Sequence, residues 1–309
     1  MSGSRVAAAV ERPADRDSQV ELRGPWRQAL RRFRRQKLAL VALGVLVAIF
    51  IVGALAGAIA PYSYDKVDIS KIGKPPSPPS LAHPFGTDDL GHDMLSQTLY
   101  GIRTTEKVAF IVAGVAAAIG IAVGGIAGYY RGWSDRLLSA ITDGFVAMPA
   151  LLAALIAVSA FKNISVRRIA LTLAIVLWPG IARVVRASFV SLREREYVEA
   201  ARASGASDLR IIFRHLLPNT AGVIIVAVTS VIGASIILEA TVDFFNYGLV
   251  GALKPTLGSL LADATKNGVG NSWWWLYVIP AIVIGVLLVC VNFVGDALDE
   301  ALNPTRALR

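Results

Sequence analysis

The stretch VAFIVAGVAAAIGIAVGGIAGYY, residues 108–130, contains no charged side chain. An apolar run of about 20 residues is long enough to cross the hydrocarbon core of a bilayer as an α-helix. Gly120, Gly124 and Gly128 recur at four-residue intervals in this stretch and therefore share one face of the helix. Because glycine has no side chain, a second helix can approach this face closely. The stretch predicts a membrane-spanning helix that packs inside a bundle.

Five further segments of the chain meet the same requirement for a span. The 309 residues are 55% hydrophobic and only 17% charged, which is more apolar than an ordinary soluble domain. We therefore predict an all-α, polytopic membrane protein. Pro149 and Pro179 interrupt the hydrogen-bond ladders of its third and fourth spans. The six predicted spans are 38–60, 108–130, 137–161, 169–190, 221–238 and 273–294.

The distribution of basic residues predicts the orientation of the spans. Lys and Arg are retained on the cytoplasmic side of a membrane. Most of the 31 Lys and Arg residues lie in the N-terminal tail, in the segments after the second and fourth spans, and at the C-terminus. We therefore expect both termini to be cytoplasmic. The net charge of +9 reflects this topology and attraction to anionic lipid, not a nucleic-acid site.

This topology divides the chain into five parts. The N-terminal tail ends in a basic amphipathic segment that suits the inner membrane surface, with docking on a partner as the alternative. An external loop and an interfacial helix precede the second span. The parts are the tail 1–37, the first span 38–60, the external segment 61–107, a core domain 108–294 with a cytoplasmic loop at 191–218, and a cytoplasmic tail 295–309.

The cytoplasmic loop contains the charged stretch EYVEAARASGASDLRIIFRHLLPN, residues 196–219. Glu199, Ala200 and Ala201 lie on a predicted helix whose small alanine face permits close approach of another surface. Gly205 supplies the left-handed residue that commonly ends a helix. Asp208 or the serine before it can cap the next helix.

The second helix of the loop is predicted to be amphipathic. Its apolar residues follow the i, i+3, i+4, i+7, i+8 spacing of a single stripe, and Arg210 and Arg214 lie on the other side. Pro218 marks the start of the fifth span. Such a helix either docks in a groove of another protein or lies on lipid. The residues of the stripe are Leu209, Ile212, Phe213, Leu216 and Leu217.

The order of the loop motif resembles the EAA loop of permease subunits in binding-protein-dependent ABC importers. The resemblance rests on residues 199–201, on Gly205 and on the Leu217-Pro218 pair. His215 stands where this family usually has isoleucine.

Two other segments resemble the C-type permease subunit of dipeptide and oligopeptide importers. One is HPFGTDDLGHDMLSQTLYGIR, residues 83–103, with His92 where arginine is usual. The other is GDALDEALNP, residues 295–304, with Asp299 in place of a usual basic residue. The resemblance covers about residues 35–305.

The resemblance implies an ABC importer permease of the type I fold that passes short peptides across the cytoplasmic membrane. The implied partners are a homologous second permease subunit, two ATPase subunits that hold ATP and Mg²⁺, and an extracytoplasmic substrate-binding protein. This chain itself is expected to bind no cofactor and no metal, and its sequence contains no G-x-x-x-x-G-K-[ST] phosphate loop. The implied coupling residues are Glu199, Ala200, Ala201, Gly205, Asp208, Leu209, Arg210, Ile212, Phe213, Leu217 and Pro218.

Two acidic residues are candidates for the substrate path, one inside the third predicted span and one at the outer end of the fifth. Ionisable groups at the depth of Asp143 and Glu239 face a bundle interior or a watery path, so each is either structurally paired or in contact with substrate. The family resemblance weakens just after Glu239. There, Asp243, Phe245 and Asn246 replace a usual serine, leucine and glycine.

Other functions remain open at this point. A member of the same family can carry a different cargo, such as a nickel chelate or another small solute. An ion-coupled secondary transporter would show inverted repeats and midplane carboxylates. A membrane enzyme would need a convergent polar site, and we identify no set of nucleophile, base and orienting residue in the sequence.

Overall fold

The computed structural model describes residues 25–68, 74–161, 165–248, 254–266 and 272–302. In these ranges the chain is helical apart from its connecting segments, and one isolated β-bridge joins Thr87 to Asp93. The helices are α1 (Pro25–Arg35), α2 (Lys37–Ala54), α3 (Ala56–Ile59), α4 (Met94–Tyr130), α5 (Gly132–Ala147), α6 (Ala150–Ser159), α7 (Val166–Leu192), α8 (Glu196–Ala203), α9 (Asp208–Ile211), α10 (Leu217–Phe244), α11 (Leu257–Lys266) and α12 (Trp275–Leu302). A π-helical turn, Ile212–Leu216, joins α9 to α10.

Five helical units of the described chain are long and apolar enough to cross a membrane. They are α2, α4, α7, the continuous unit from Asp208 to Phe244, and α12. The pair α5 and α6 passes the same test jointly but is bent by 89°, and it supplies a sixth crossing if it forms one span. The predicted all-α, polytopic membrane fold is confirmed.

The third predicted span, 137–161, is divided by the sharp bend between α5 and α6. Helix α5 ends at Ala147, and Met148 is extended, with φ −79° and ψ 130°. Pro149 explains the bend, because its ring disfavours helical geometry at the preceding residue and it has no N–H to donate. Pro179, by contrast, lies buried inside the uninterrupted helix α7.

Helix α4 also differs from expectation, because the predicted interfacial helix and second span form one helix of 37 residues. The Asp93 carboxylate caps this helix by accepting a hydrogen bond of 2.8 Å from the backbone N–H of Ser96. Thr104, Thr105 and Glu106 are buried at the junction of the two predicted segments. Their burial shows that this side of the junction packs against other elements of the bundle.

The glycine face of α4 packs directly on α7, as predicted. A Cβ atom added at Gly124 would lie 2.3 Å from the carbonyl oxygen of Ala182. One added at Gly120 would lie 2.7 Å from Cβ of Ile181. The two helices are therefore in contact through backbone atoms, and the largest buried cluster of apolar side chains surrounds this contact.

The basic segment before the first span forms α1 and packs on the end of α12. Ala29 and Phe33 are buried in a cluster that includes Ala297 and Ala301. Helix α12 ends at Leu302 rather than at residue 294, which gives α1 this surface. The apolar face expected on lipid therefore contacts protein, while the tails 1–24 and 303–309 lie outside the described residues.

Candidate functional site

The first half of the cytoplasmic loop is a short helix closed by a glycine motif. Within α8 only Val198 is buried, whereas Glu199 and Ala200 are exposed. Gly205 has φ +79°, so the predicted left-handed helix end is confirmed. Ala206 N–H donates to the Ala201 carbonyl at 3.1 Å and Gly205 N–H donates to the Arg202 carbonyl at 3.0 Å. This pair of hydrogen bonds is the Schellman arrangement, which satisfies the last carbonyls of a helix.

The second half of the loop is attached to the end of α4. The Ser207 side chain makes no capping hydrogen bond. Asp208 instead accepts a hydrogen bond of 2.6 Å from the hydroxyl of Tyr129. Arg193 donates to the carbonyl oxygen of the same tyrosine. The last turn of α4 thus holds the loop near its start, through Arg193, and at the beginning of its second helix, through Asp208.

The predicted single apolar stripe of this second helix is wrong. Ile211 and Leu216 are fully buried, whereas Leu209 and Phe213 are each 64% exposed. The reason is the π-helical turn, which inserts an extra residue into one turn and so rotates the later side chains out of α-helical phase. The apolar residues therefore divide between the bundle and the solvent-facing surface.

We define the coupling surface as five exposed side chains of the loop, chosen among the residues that the sequence assigns to coupling. Ala201, Ile212 and Leu217, which the sequence also assigns to coupling, are only partly exposed and lie behind this surface. Pro218 is the second residue of α10 and directly follows the π-helical turn and Leu217. The coupling surface consists of Glu199, Ala200, Leu209, Arg210 and Phe213.

Asp143 lies on a charged face formed by α5 and α7. Arg183 donates to it at 2.7 Å, and Arg186 binds Asp135 through two hydrogen bonds of 2.5 and 2.9 Å. A cavity of about 400 Å³ lies beside these pairs and is bounded by α4, α5 and α7. Sequence reasoning missed the arginine partners, because they were counted only as topology signals. Asp143 is both paired and cavity-lining, and its role in a substrate path stays a prediction.

Glu239 lies inside the bundle and does not line this cavity. Its side chain is 1% exposed, and the Thr105 hydroxyl lies 3.4 Å from one carboxyl oxygen. Asp243 is buried one turn later and accepts a hydrogen bond from the hydroxyl of Thr256. The role of Glu239 in a substrate path also stays a prediction. Within the described ranges, no three side chains of His, Cys, Asp or Glu are grouped as metal ligands.

These features define a polytopic α-helical membrane protein that presents an anchored two-helix loop at one surface. The profile of the family described as binding-protein-dependent transport system inner membrane component matches residues 120–305. A second profile, the N-terminal TM domain of oligopeptide transport permease C, matches residues 24–76. The chain therefore belongs to the family of binding-protein-dependent transport system inner membrane components.

Relatives of known name cover nearly the whole chain. It is 35% identical to the oligopeptide transport system permease protein OppC of Mycobacterium bovis, over 91% of this chain and 95% of that protein. It is 35% identical to the dipeptide transport system permease protein DppC of Alkalihalophilus pseudofirmus, over 91% and 90% of the two chains. It is 37% identical to the glutathione transport system permease protein GsiD of Escherichia coli, over 97% and 96%.

A solved structure shows the same fold. In the inward-facing MetNI methionine ABC transporter, a chain 20% identical in sequence superposes with a TM-score of 0.56 over 68% of this chain and 98% of that chain. The family match and the relatives named above make the protein the membrane permease component of an ABC importer, and the likeness to the solved structure shows that it has the same fold. In this family the component is a transport subunit and not itself catalytic.

Proposed function

We propose that this permease passes short peptides across the cytoplasmic membrane. The support is the agreement among relatives, since those described above are named for oligopeptide, dipeptide and glutathione transport. All three cargoes are small, with peptide bonds and free carboxylates. A nickel chelate or an ion-coupled mechanism finds no comparable support.

The proposed assembly contains a homologous second permease subunit, two ATPase subunits that bind ATP and Mg²⁺, and an extracytoplasmic binding protein. Both termini and the coupling surface face the cytoplasm in this arrangement. The high content of Lys and Arg in these segments supports this orientation.

The observation that carries the coupling role is the exposure of two large apolar side chains on an anchored loop. Leu209 and Phe213 are each 64% exposed, while Val198, Ile211 and Leu216 hold the loop to the bundle. Apolar side chains that project from a rigid support are typical anchors of a protein interface. We infer that they seat in a groove of an ATPase subunit.

In the proposed mechanism, closure of the ATPase subunits on ATP moves the coupling surface. Helix α9 continues through the π-helical turn into α10, so displacement of the docked end is passed along one helical unit. The Tyr129 to Asp208 hydrogen bond joins the same end to α4. The bundle then changes between inward-facing and outward-facing states as a two-state element biased by ATP.

The test is a double substitution, Leu209→Ser with Phe213→Ser, in the complete transporter reconstituted in nanodiscs. Removing two interface anchors should weaken ATPase association by at least about tenfold. Binding-protein-stimulated ATP hydrolysis should fall with it. The matched control is Leu81→Ser, because Leu81 is fully exposed and far from the loop in sequence. Normal ATPase retention and normal stimulation in the double variant would refute the coupling role.

A further inference from the structure

A cavity lined by four basic residues lies at the other end of α4 from the coupling surface. Arg103 and Lys107 lie on α4, Arg167 lies in the first turn of α7, and Lys254 precedes α11. The cavity has a volume of about 640 Å³. Its four cations come from three separate segments, so the fold rather than a local run of sequence brings them together.

Carboxylates do not pair with these cations within the described part of the chain, although Glu106 lies on the same helix as Arg103 and Lys107. None of the four forms an ion pair with Asp or Glu there. The charged neighbours that act on Lys107 are Arg103 and Lys254, and both repel it. The internal segments outside the described ranges contain no Asp or Glu in their sequence; they are 69–73, 162–164, 249–253 and 267–271.

The mutual repulsion of these cations is electrostatically unfavourable. Arg103 and Lys107 are four residues apart on one helix, a spacing at which like charges destabilise a helix. Lys254 adds a third positive charge from another segment. A bound anion would convert this repulsion into attraction, because each cation would then face a negative charge.

The remaining lining suits a ligand that is only partly polar. Phe110, Ile111 and Val166 contribute apolar surface to the cavity. On α4 the two apolar residues follow the cations by one turn, at the start of the predicted span 108–130. The cations therefore lie at the level where the helix meets water, and the apolar residues lie deeper.

We propose that this cavity binds one anionic group, a phosphate or a carboxylate, at the membrane surface. The chemistry fits two sources. One is the headgroup of an acidic phospholipid, whose acyl chains would contact the apolar lining. The other is the carboxylate of a soluble solute such as a peptide cargo, and this second source rests on the proposed function.

The first arm of the test measures lipid. The complete transporter is purified from nanodiscs of phosphatidylcholine with a minor fraction of phosphatidylglycerol, and retained lipid is counted by native mass spectrometry. Each cation near an anionic lipid contributes about a factor of five to affinity, so Lys107→Gln with Lys254→Gln should weaken retention about 25-fold. The matched control is Lys66→Gln with Lys74→Gln, two exposed lysines outside the cavity. The charge-preserving pair Lys107→Arg with Lys254→Arg should retain the lipid.

The second arm measures soluble anions in nanodiscs of phosphatidylcholine alone. Thermal stabilisation by inorganic phosphate is recorded, and uptake of Ala-Glu is compared with uptake of Ala-Gln in proteoliposomes. The site is assigned to a soluble anion if Lys107→Gln with Lys254→Gln loses phosphate stabilisation and the preference for Ala-Glu but still retains lipid. Loss of lipid retention alone assigns it to phospholipid.

An unchanged result in both arms overturns the proposal. A failure of the proposed function gives a different result. In that case the wild-type complex takes up neither dipeptide, but the lipid and phosphate measurements can still detect the anion site. Conversely, normal uptake of Ala-Gln with no anion binding in either arm removes the cavity proposal and keeps peptide transport.

Discussion

Substitution of Gly124 by alanine tests the packing that joins α4 to α7. The added Cβ would lie 2.3 Å from the carbonyl oxygen of Ala182 and 3.0 Å from its Cα. Ordinary van der Waals contact begins at 3.4 Å, so the two helices must separate by about 1 Å locally. The obstructing atoms are backbone atoms and cannot rotate away as a side chain would.

Two free energies of opposite sign decide the result. Overpacking in a close-packed interior costs about 1–3 kcal/mol. Replacing a glycine inside a helix by alanine stabilises the helix by about 0.5–1 kcal/mol. At Gly124 the cost of overpacking exceeds the gain in helix stability, so we expect net destabilisation of about 1–2 kcal/mol. Gly114 on the same helix has no atom within 4 Å of an added Cβ, so Gly114→Ala should show only the stabilising effect.

The assay is thermal unfolding of the complete transporter in nanodiscs, with wild type, Gly124→Ala and Gly114→Ala measured side by side. The two variants should shift the midpoint in opposite directions. Because both changes add one methyl group to α4, differences in expression or in hydrophobicity cannot produce this opposition. A Gly124→Ala protein that unfolds at or above the wild-type midpoint would refute the reasoning.

Three further predictions concern the loop, the external segment and the charged face. No atom lies within 4 Å of a Cβ added at Gly205, so the cost of Gly205→Val is only the backbone strain of φ +79°, about 1–2 kcal/mol. This variant should lower binding-protein-stimulated ATP hydrolysis. Gly205→Asn should not, because asparagine tolerates this backbone geometry. The Asp88 carboxylate, 2.7 Å away, raises the pKa of His92. A raised folded-state pKa gives stabilisation that is fully present below about pH 6.5 and is lost as the pH rises through the folded-state pKa. Limited proteolysis of segment 86–93 should therefore accelerate as the pH rises through this range. His92→Asn should abolish this pH dependence of proteolysis. The Asp143 ion pair with Arg183 is exposed and contributes at most about 1 kcal/mol, so Asp143→Asn should leave thermal stability nearly unchanged. If Asp143 lines the substrate path, peptide uptake by this variant should nevertheless fall. Normal uptake would show that Asp143 is not part of the substrate path.

The features that the sequence predicted correctly are those that local chemistry determines. Apolar length alone identifies a span, since a helix of about 20 residues must match the bilayer. Gly205 ends its helix because few other residues adopt positive φ without strain. The glycine face of α4 was visible because four-residue spacing places small residues on one side of a helix. Each of these inferences needs only one segment of the chain.

Most of the features that were missed depend on contacts between distant segments. Pro149 predicts a break, but the 89° between α5 and α6 depends on what each half packs against. The π-helical turn has no residue signature, and it reversed the exposure expected for part of the loop. Arg183 reaches Asp143 across 40 positions of sequence, and sequence spacing gives no sign of such a pair. The four cations of the cavity likewise come from segments that periodicity treats one at a time.

The contacts of the loop explain how a small docking motion can reach several spans. Leu209 and Phe213 belong to the same continuous helical unit as α10, so a force on them acts on that span directly. Tyr129 carries the force to α4 through Asp208. Helix α4 in turn contacts α7 through backbone atoms at Gly124, where no flexible side chain can absorb displacement. Under the proposed mechanism, α4, α7 and α10 must therefore move as one body, and the switch between states must occur where this body meets other elements or the partner subunits.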